Sequence, residues 1–197
     1  MIRSSASFSR ATDQERQEAS RSFMGKRRDE QAYFLVCRGN RRRLRSLLGR
    51  HPELCTSNSA RLVFAALWQN RGMIHWLLER GVSPDCRMGD HGNTPLMHAA
   101  AEGDASVMTM LLKYGANPAL LNDASENALG FAVTYNHVTA IAVLASAGAD
   151  INNTDDSGPH RTQLDIAELS DWPEVAAALR RLGAKRYSEL NVSSSSA

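Results

Sequence analysis

Five times along this chain a pair of small or apolar residues is followed twelve positions later by a leucine-led pair. Leu35-Val36 precede Leu47-Leu48, Ala65-Ala66 precede Leu77-Leu78, and Ala99-Ala100 precede Leu111-Leu112. Ala132-Val133 then precede Leu144-Ala145, and Ala167-Glu168 precede Leu179-Arg180. Successive units are offset by 30, 34, 33 and 35 residues. A period of that size limits the fold more than any composition could. Each unit is one supersecondary piece, too small to bury its own apolar face, so neighbours must stack and share a core.

The unit from Asn93 to Ala119 shows what is being repeated. Thr94-Pro95 reads as a helix start: the hydroxyl caps, and proline stands where a missing N–H costs nothing. Leu96, Ala99 and Ala100 follow on one face, and Gly103 breaks the run. Val107, Met108, Leu111 and Leu112 mark a second amphipathic helix, and Gly115 supplies a left-handed stop.

Gly92-x-Thr94-Pro95-Leu96, Ala99-Ala100-x-x-Gly103 and Leu111-Leu112-x-x-Gly115-Ala116 together resemble an ankyrin repeat. The resemblance implies an all-α solenoid of five helix-turn-helix units with projecting turns, spanning residues 30–187. The units fall at about 30–55, 56–88, 89–121, 122–154 and 155–187, with a flexible basic arm over 1–29 and a disordered serine-rich tail over 188–197.

The match is uneven. Met97 stands where the family has a histidine that bonds between neighbouring turns, and the equivalents are Tyr33, Val63, Gly130 and Asp165. Asn127-Ala128-Leu129 and Thr162-Gln163-Leu164 replace the usual helix start, the latter after an enlarged turn from Asp155 to Arg161. The stop glycine recurs at Gly81, Gly148 and Gly183, whereas the first unit leaves its second helix through His51-Pro52.

Charge is divided along the chain. Residues 1–50 hold 13 Lys/Arg against 5 Asp/Glu, and the remainder holds 10 against 16. A basic front on an acidic body admits an anionic partner. It equally suits a repeat array, whose end units need polar outer faces. Arg41, Arg42, Arg43 and Arg45 would supply one such face, and Arg180, Arg181, Lys185 and Arg186 the other. Three widely spaced cysteines, Cys37, Cys55 and Cys86, form no CxxC pair, which argues against a disulfide framework or zinc site and suits a reducing, cytoplasmic setting. No apolar stretch approaches the ~20 residues of a membrane span.

No GxGxxG, P-loop, HExxH or GxSxG pattern occurs, and the six histidines are scattered over different units. His98, Glu102 and Tyr135 make no catalytic constellation. The chain is therefore expected to be non-enzymatic, with no cofactor or metal.

Binding is the better prospect. The resemblance implies two recognition surfaces, the turn tips ("fingers") and the exposed ends of the first helices ("palm"). In this register the fingers carry Asp90, His91, Asn93, Asp123, Ser125, Glu126 and Arg161. The palm carries Arg38, Leu67, Trp68, Ala101, Glu102, Thr134, Tyr135, Leu169 and Ser170. Trp68 and Tyr135 stand out, because stacking alone requires no aromatic there and such side chains anchor interfaces. Trp76 reads as core, and Trp172, before Pro173, as a staple on the last unit. The expectation is a monomer that binds another protein, its acidic tips suited to a basic patch. The alternative is a basic N-terminal region that engages nucleic acid or another anionic surface, disfavoured by the lack of interleaved aromatics.

Overall fold

The computed structural model describes residues 27–57, 59–155 and 161–192, apart from the side chains of 56, 57, 59–61, 68, 155, 191 and 192. Most of the expected N-terminal arm, the middle of the enlarged turn and the last five residues lie outside that range. The chain builds α1 (27–37), α2 (Arg41–Arg50), α3 (Leu54–Ser57), α4 (Ser59–Gln69) and α5 (Gly72–Leu78). It continues with α6 (Pro95–Ala101), α7 (Ala105–Lys113), α8 (Ala128–Thr134) and α9 (Val138–Ser146). A hairpin, β1 (Thr154–Asp155) and β2 (Arg161–Thr162), leads to α10 (Gln163–Leu169), α11 (Pro173–Arg181) and α12 (Tyr187–Val192).

The helices pair in sequence, α4 with α5, α6 with α7, α8 with α9 and α10 with α11. The first members then stack in one row, α4 on α6, α6 on α8 and α8 on α10, while α7, α9 and α11 form the second row. This is an all-α solenoid. The repeated pairs are what lets the rows close up: Ala65, Ala66, Ala99, Ala100, Ala132, Val133 and Ala167 are all buried. Leu44, Leu77, Leu111, Leu144 and Leu179 fill the space between the rows, and one continuous core runs from Ala32 to Leu179.

Five helix starts are capped from their own sequence, whereas α5, α9 and α11 have no side-chain cap. The Thr94 hydroxyl accepts the Met97 N–H at 3.3 Å, the Asn127 side-chain oxygen accepts the Gly130 N–H at 3.0 Å, and Thr162 accepts from Asp165 at 3.4 Å. In the second helices, Asn40 and Asp104 accept from Arg43 and Val107, each at 3.1 Å. The substitutions away from Thr-Pro thus keep the one property a start requires, a side-chain acceptor.

In four of the five turns between a unit's two helices one residue is left-handed, and the turn from α4 to α5 has none. Gly39, Gly103, Asn136 and Asp171 are these residues, with φ between 55° and 67°. Asn and Asp are the non-glycine residues that tolerate this region best. At Gly103 space is also scarce, since an added Cβ would lie 2.6 Å from Nδ1 of His137. That imidazole is fixed, its Nε2 3.0 Å from the Ala101 carbonyl.

The ends depart from the repeat. After His51-Pro52 the chain forms the extra turn α3, and the enlarged turn closes as an antiparallel ladder pairing Thr154 with Thr162 and Asp155 with Arg161. The tail expected from residue 188 begins instead as helix, because α12 is tied back to the last unit. The Tyr187 N–H donates to the Asp165 carboxylate at 2.9 Å, and Arg186 pairs with Glu168 at 2.6 Å.

These turns make a graded test. Gly103→Ala should lower unfolding free energy by about 2–3 kcal/mol, combining a left-handed alanine with a clash. Gly148→Ala, at φ 82° with open space around it, should cost only about 1–2 kcal/mol. Chemical denaturation of both variants checks the order.

Candidate functional site

Between the third and fourth units two successive turns are laced together through one side chain, Asn122. Its own loop closes on itself: the Asn122 N–H donates to the Glu126 carbonyl and the Glu126 N–H to Asn122 Oδ1, each at 2.8 Å. Asn122 Oδ1 also accepts the Ala124 N–H at 3.0 Å, and Ser125 takes up the left-handed turn conformation at φ 62°. The amide nitrogen then donates outward, to Asn93 Oδ1 of the preceding turn at 2.7 Å and to Glu126 Oε2 at 3.0 Å. A second tie runs from the Asp123 N–H to the His91 carbonyl at 2.9 Å. Asn122 is buried with its polar atoms satisfied, so both fingers are held before any partner arrives.

Below these turns Phe131 of α8 and Tyr135, the residue that caps its C-terminus, are four residues apart and therefore lie on one face. Their rings lie 6.4 Å apart and within 6° of parallel, and Tyr135 is 55% exposed. Turns and helix end enclose a cleft of about 330 Å³ lined by His91, Asn93, Asn122, Ala124, Glu126, Phe131, Thr134 and Tyr135. Finger and palm residues drawn from separate parts of the sequence meet here: His91, Asn93 and Glu126 with Thr134 and Tyr135. Sequence reasoning missed Asn122 and Phe131. The spacing of Phe131 from Tyr135 was a usable signal, whereas the bridging role of Asn122 depends on a contact 29 residues away.

The other expected residues are dispersed. Asp90 is exposed on the turn beside His91. Asp123 faces Arg87 at 3.6 Å, and Arg87 also donates to the Leu121 carbonyl at 2.6 Å. Glu102 pairs with Arg71 of the preceding unit at 2.5 Å, and the same guanidinium reaches Asp104. Arg38 is exposed at the end of α1, in the first unit. Arg161 belongs to a separate hollow of about 460 Å³ with Asp165, Glu168, Leu169, Arg186, Tyr187 and Ser188. There Leu169 is 67% exposed.

Leu67 requires correction. It is only 7% exposed and belongs to the core. The register places the palm at the end of each first helix, and α6 does end at Ala101, the equivalent position. But α4 runs on to Gln69, so Leu67 lies inside the helix, with every residue from Leu62 to Leu67 buried. The Trp68 side chain lies outside the described residues.

Trp76 is core, as expected, with the Arg80 guanidinium 3.6 Å over its ring. His98 meets the edge of Phe64 at 4.9 Å, and burial lowers its pKa. Burial raises the Cys55 thiol and pushes Cys86 up to about 12, so neither carries thiolate character at neutral pH. Among the described residues no group of three His, Cys, Asp or Glu side chains is arranged to hold a metal ion. None of the helices described is long and apolar enough to cross a membrane.

Comparison with known proteins agrees with this architecture. The family model "Ankyrin repeats (3 copies)" matches residues 62–155. ZDHHC13 of Danio rerio, named as a palmitoyltransferase, is 28% identical over 109 residues, 55% of this chain and 17% of its own length. The nuclear factor NF-kappa-B p105 subunit of Gallus gallus is 28% identical over 121 residues, 60% of this chain and 12% of its own. The chain thus spans under a fifth of either relative.

Two acids near these surfaces separate structural from recognition roles. Asp104 is partly buried, which pushes its pKa up, but bonds from Ser106 and Val107 and the charge of Arg71 outweigh this and hold it below the usual carboxylate range. Asp104→Ala should therefore cost about 1 kcal/mol through the lost cap. Glu102→Ala should cost less than about 0.5 kcal/mol, because it removes only an exposed ion pair. Both are read by denaturant titration.

Asp165 makes a pH prediction. Partial burial raises its pKa, but the Thr162 and Tyr187 N–H donors, the Thr162 hydroxyl and Arg186 lower it overall. A carboxylate depressed in the folded state contributes stability above its unfolded pKa, near 4, and loses it as pH falls through the folded value. Asp165→Asn should be less stable than wild type at pH ~7, and the gap should close toward pH ~3.

Proposed function

Because this chain is an ankyrin repeat protein, we propose that it is a non-enzymatic docking module, an adaptor or inhibitor, that binds another protein through its concave face and turn tips. Ankyrin repeats are generic protein–protein interaction modules. What supports this use of the surface is the convergence of His91, Asn93 and Glu126 from the turns with Thr134 and Tyr135 from the C-terminal end of α8 on one cleft.

The physical argument is pre-organisation. Turns already locked by Asn122 lose little freedom on association, so less of the contact energy is spent on ordering. Tyr135 offers a large, half-exposed ring with a polar tip, the kind of side chain that carries most of an interface's affinity. A second reading has one observation in its favour. Over residues 27–50 eight arginines face two acids, and Arg42, Arg43 and Arg45 are exposed, a surface suited to nucleic acid or another polyanion.

One capture experiment separates them. Full-length protein, a Thr134→Ala, Tyr135→Ala variant and an Arg42→Glu, Arg43→Glu variant are compared on lysate from the source cells at low and high salt. The palm variant, its fold checked by circular dichroism, should lose a salt-resistant partner by about tenfold or more. Capture indifferent to the palm, but lost in salt and in the arginine variant, would favour the basic surface instead.

A further inference from the structure

Four acids of the third to fifth units are answered by a cation. Asp123 faces Arg87, Glu102 and Asp104 share Arg71, and Glu168 holds both Arg180 and Arg186. Glu126 differs. It is exposed, it is the one carboxylate lining the cleft, and no cation among the described residues pairs with it. The amide of Asn122 donates to its Oε2 at 3.0 Å, which orients the group and leaves its charge unmatched.

The same cleft is lined by the parallel rings of Phe131 and Tyr135. A carboxylate beside an exposed aromatic face is complementary to a planar cation: the guanidinium pairs with the oxygens and stacks on the ring. The chain makes half of this arrangement internally, with Arg80 lying 3.6 Å over Trp76. Some 330 Å³ suits one long side chain with its flanking backbone. Lysine fits less well, because its compact ammonium neither stacks nor forks.

We propose that the cleft receives one arginine side chain from the partner's docking segment, its guanidinium paired with Glu126 and stacked on Tyr135. The inference rests on the protein-docking reading above and specifies the chemistry of the partner. Asn93 and the Thr134 hydroxyl remain at the rim for the segment's main chain.

Octapeptides selected from a displayed library on the full-length chain test it, with affinities measured by calorimetry. The selected peptides should share one arginine, and replacing it with leucine should weaken binding about tenfold or more. Glu126→Gln retains an acceptor for Asn122, so the turn is preserved. It should weaken the arginine peptide by a similar factor and leave the leucine peptide unchanged, and Tyr135→Ala should weaken the arginine peptide as well. A consensus without a basic residue, no selected peptide at all, or an arginine dependence that survives Glu126→Gln would overturn the proposal. Acidic or apolar peptides that still require Tyr135 would remove the arginine site alone and leave the docking face standing. Peptides indifferent to Glu126, Thr134 and Tyr135 would remove both.

Discussion

The close approach of successive first helices is the constraint on which the rest depends. No seven-residue helix such as α6, α8 or α10 is stable in water by itself, because nucleation costs more than so few hydrogen bonds return. Each is held by what it buries against its neighbours, and burial requires that the backbones come near. Alanine and valine at the repeated pair allow that approach, and the leucines behind them convert it into apolar area removed from water. Stability is therefore passed from unit to unit, and Arg41 at one end and α12 at the other act as terminators of the stack. Arg41 donates to the Gly72 carbonyl at 2.8 Å, while α12 is fastened at Asp165.

Apolar stacking brings the units together, and polar ties set the turns that project from them. The family's histidine is replaced at its equivalent positions, as the sequence showed, and other side chains tie neighbouring loops. Asp85 accepts the Asn117 N–H at 3.0 Å, and Asn152 accepts the Lys185 N–H at 2.8 Å, each tie joining loops a repeat apart. At Met97 the sulfur lies 3.3 Å from the Thr94 N–H, and at Asp165 a carboxylate takes the equivalent place in the last unit. The role that survives is the satisfaction of the helix-start N–H, and several side chains can fill it. Recognition follows from the same economy. Where a tie uses a neutral amide, as at Asn122, the neighbouring charge of Glu126 stays available; where it uses arginine, as at Arg71, the charge is spent on the fold.

Period, helix starts and left-handed stops were all legible in the sequence, because each depends on residues within one unit. Thr94, Asn127 and Thr162 cap where their side chains allow, and Gly81, Gly115, Gly148 and Gly183 take positive φ after the second helices. The burial of Trp76 was equally local, following from its place beside Leu77-Leu78. Leu67 was misread because register alone says nothing of a helix that runs two residues past its equivalents. The ordered α12 was missed because its anchor, Asp165, lies 22 residues back.

By itself the sequence determined that this protein is a stack of helix pairs, since hydrophobic period and capping chemistry are short-range properties. Only the tertiary structure decided which exposed residues face one another. Glu126, Phe131 and Tyr135 share a cleft with His91 and Asn93 because the stacking of α6 on α8 sets the offset between turns about thirty residues apart. That offset is a product of packing between units, and no periodicity encodes it.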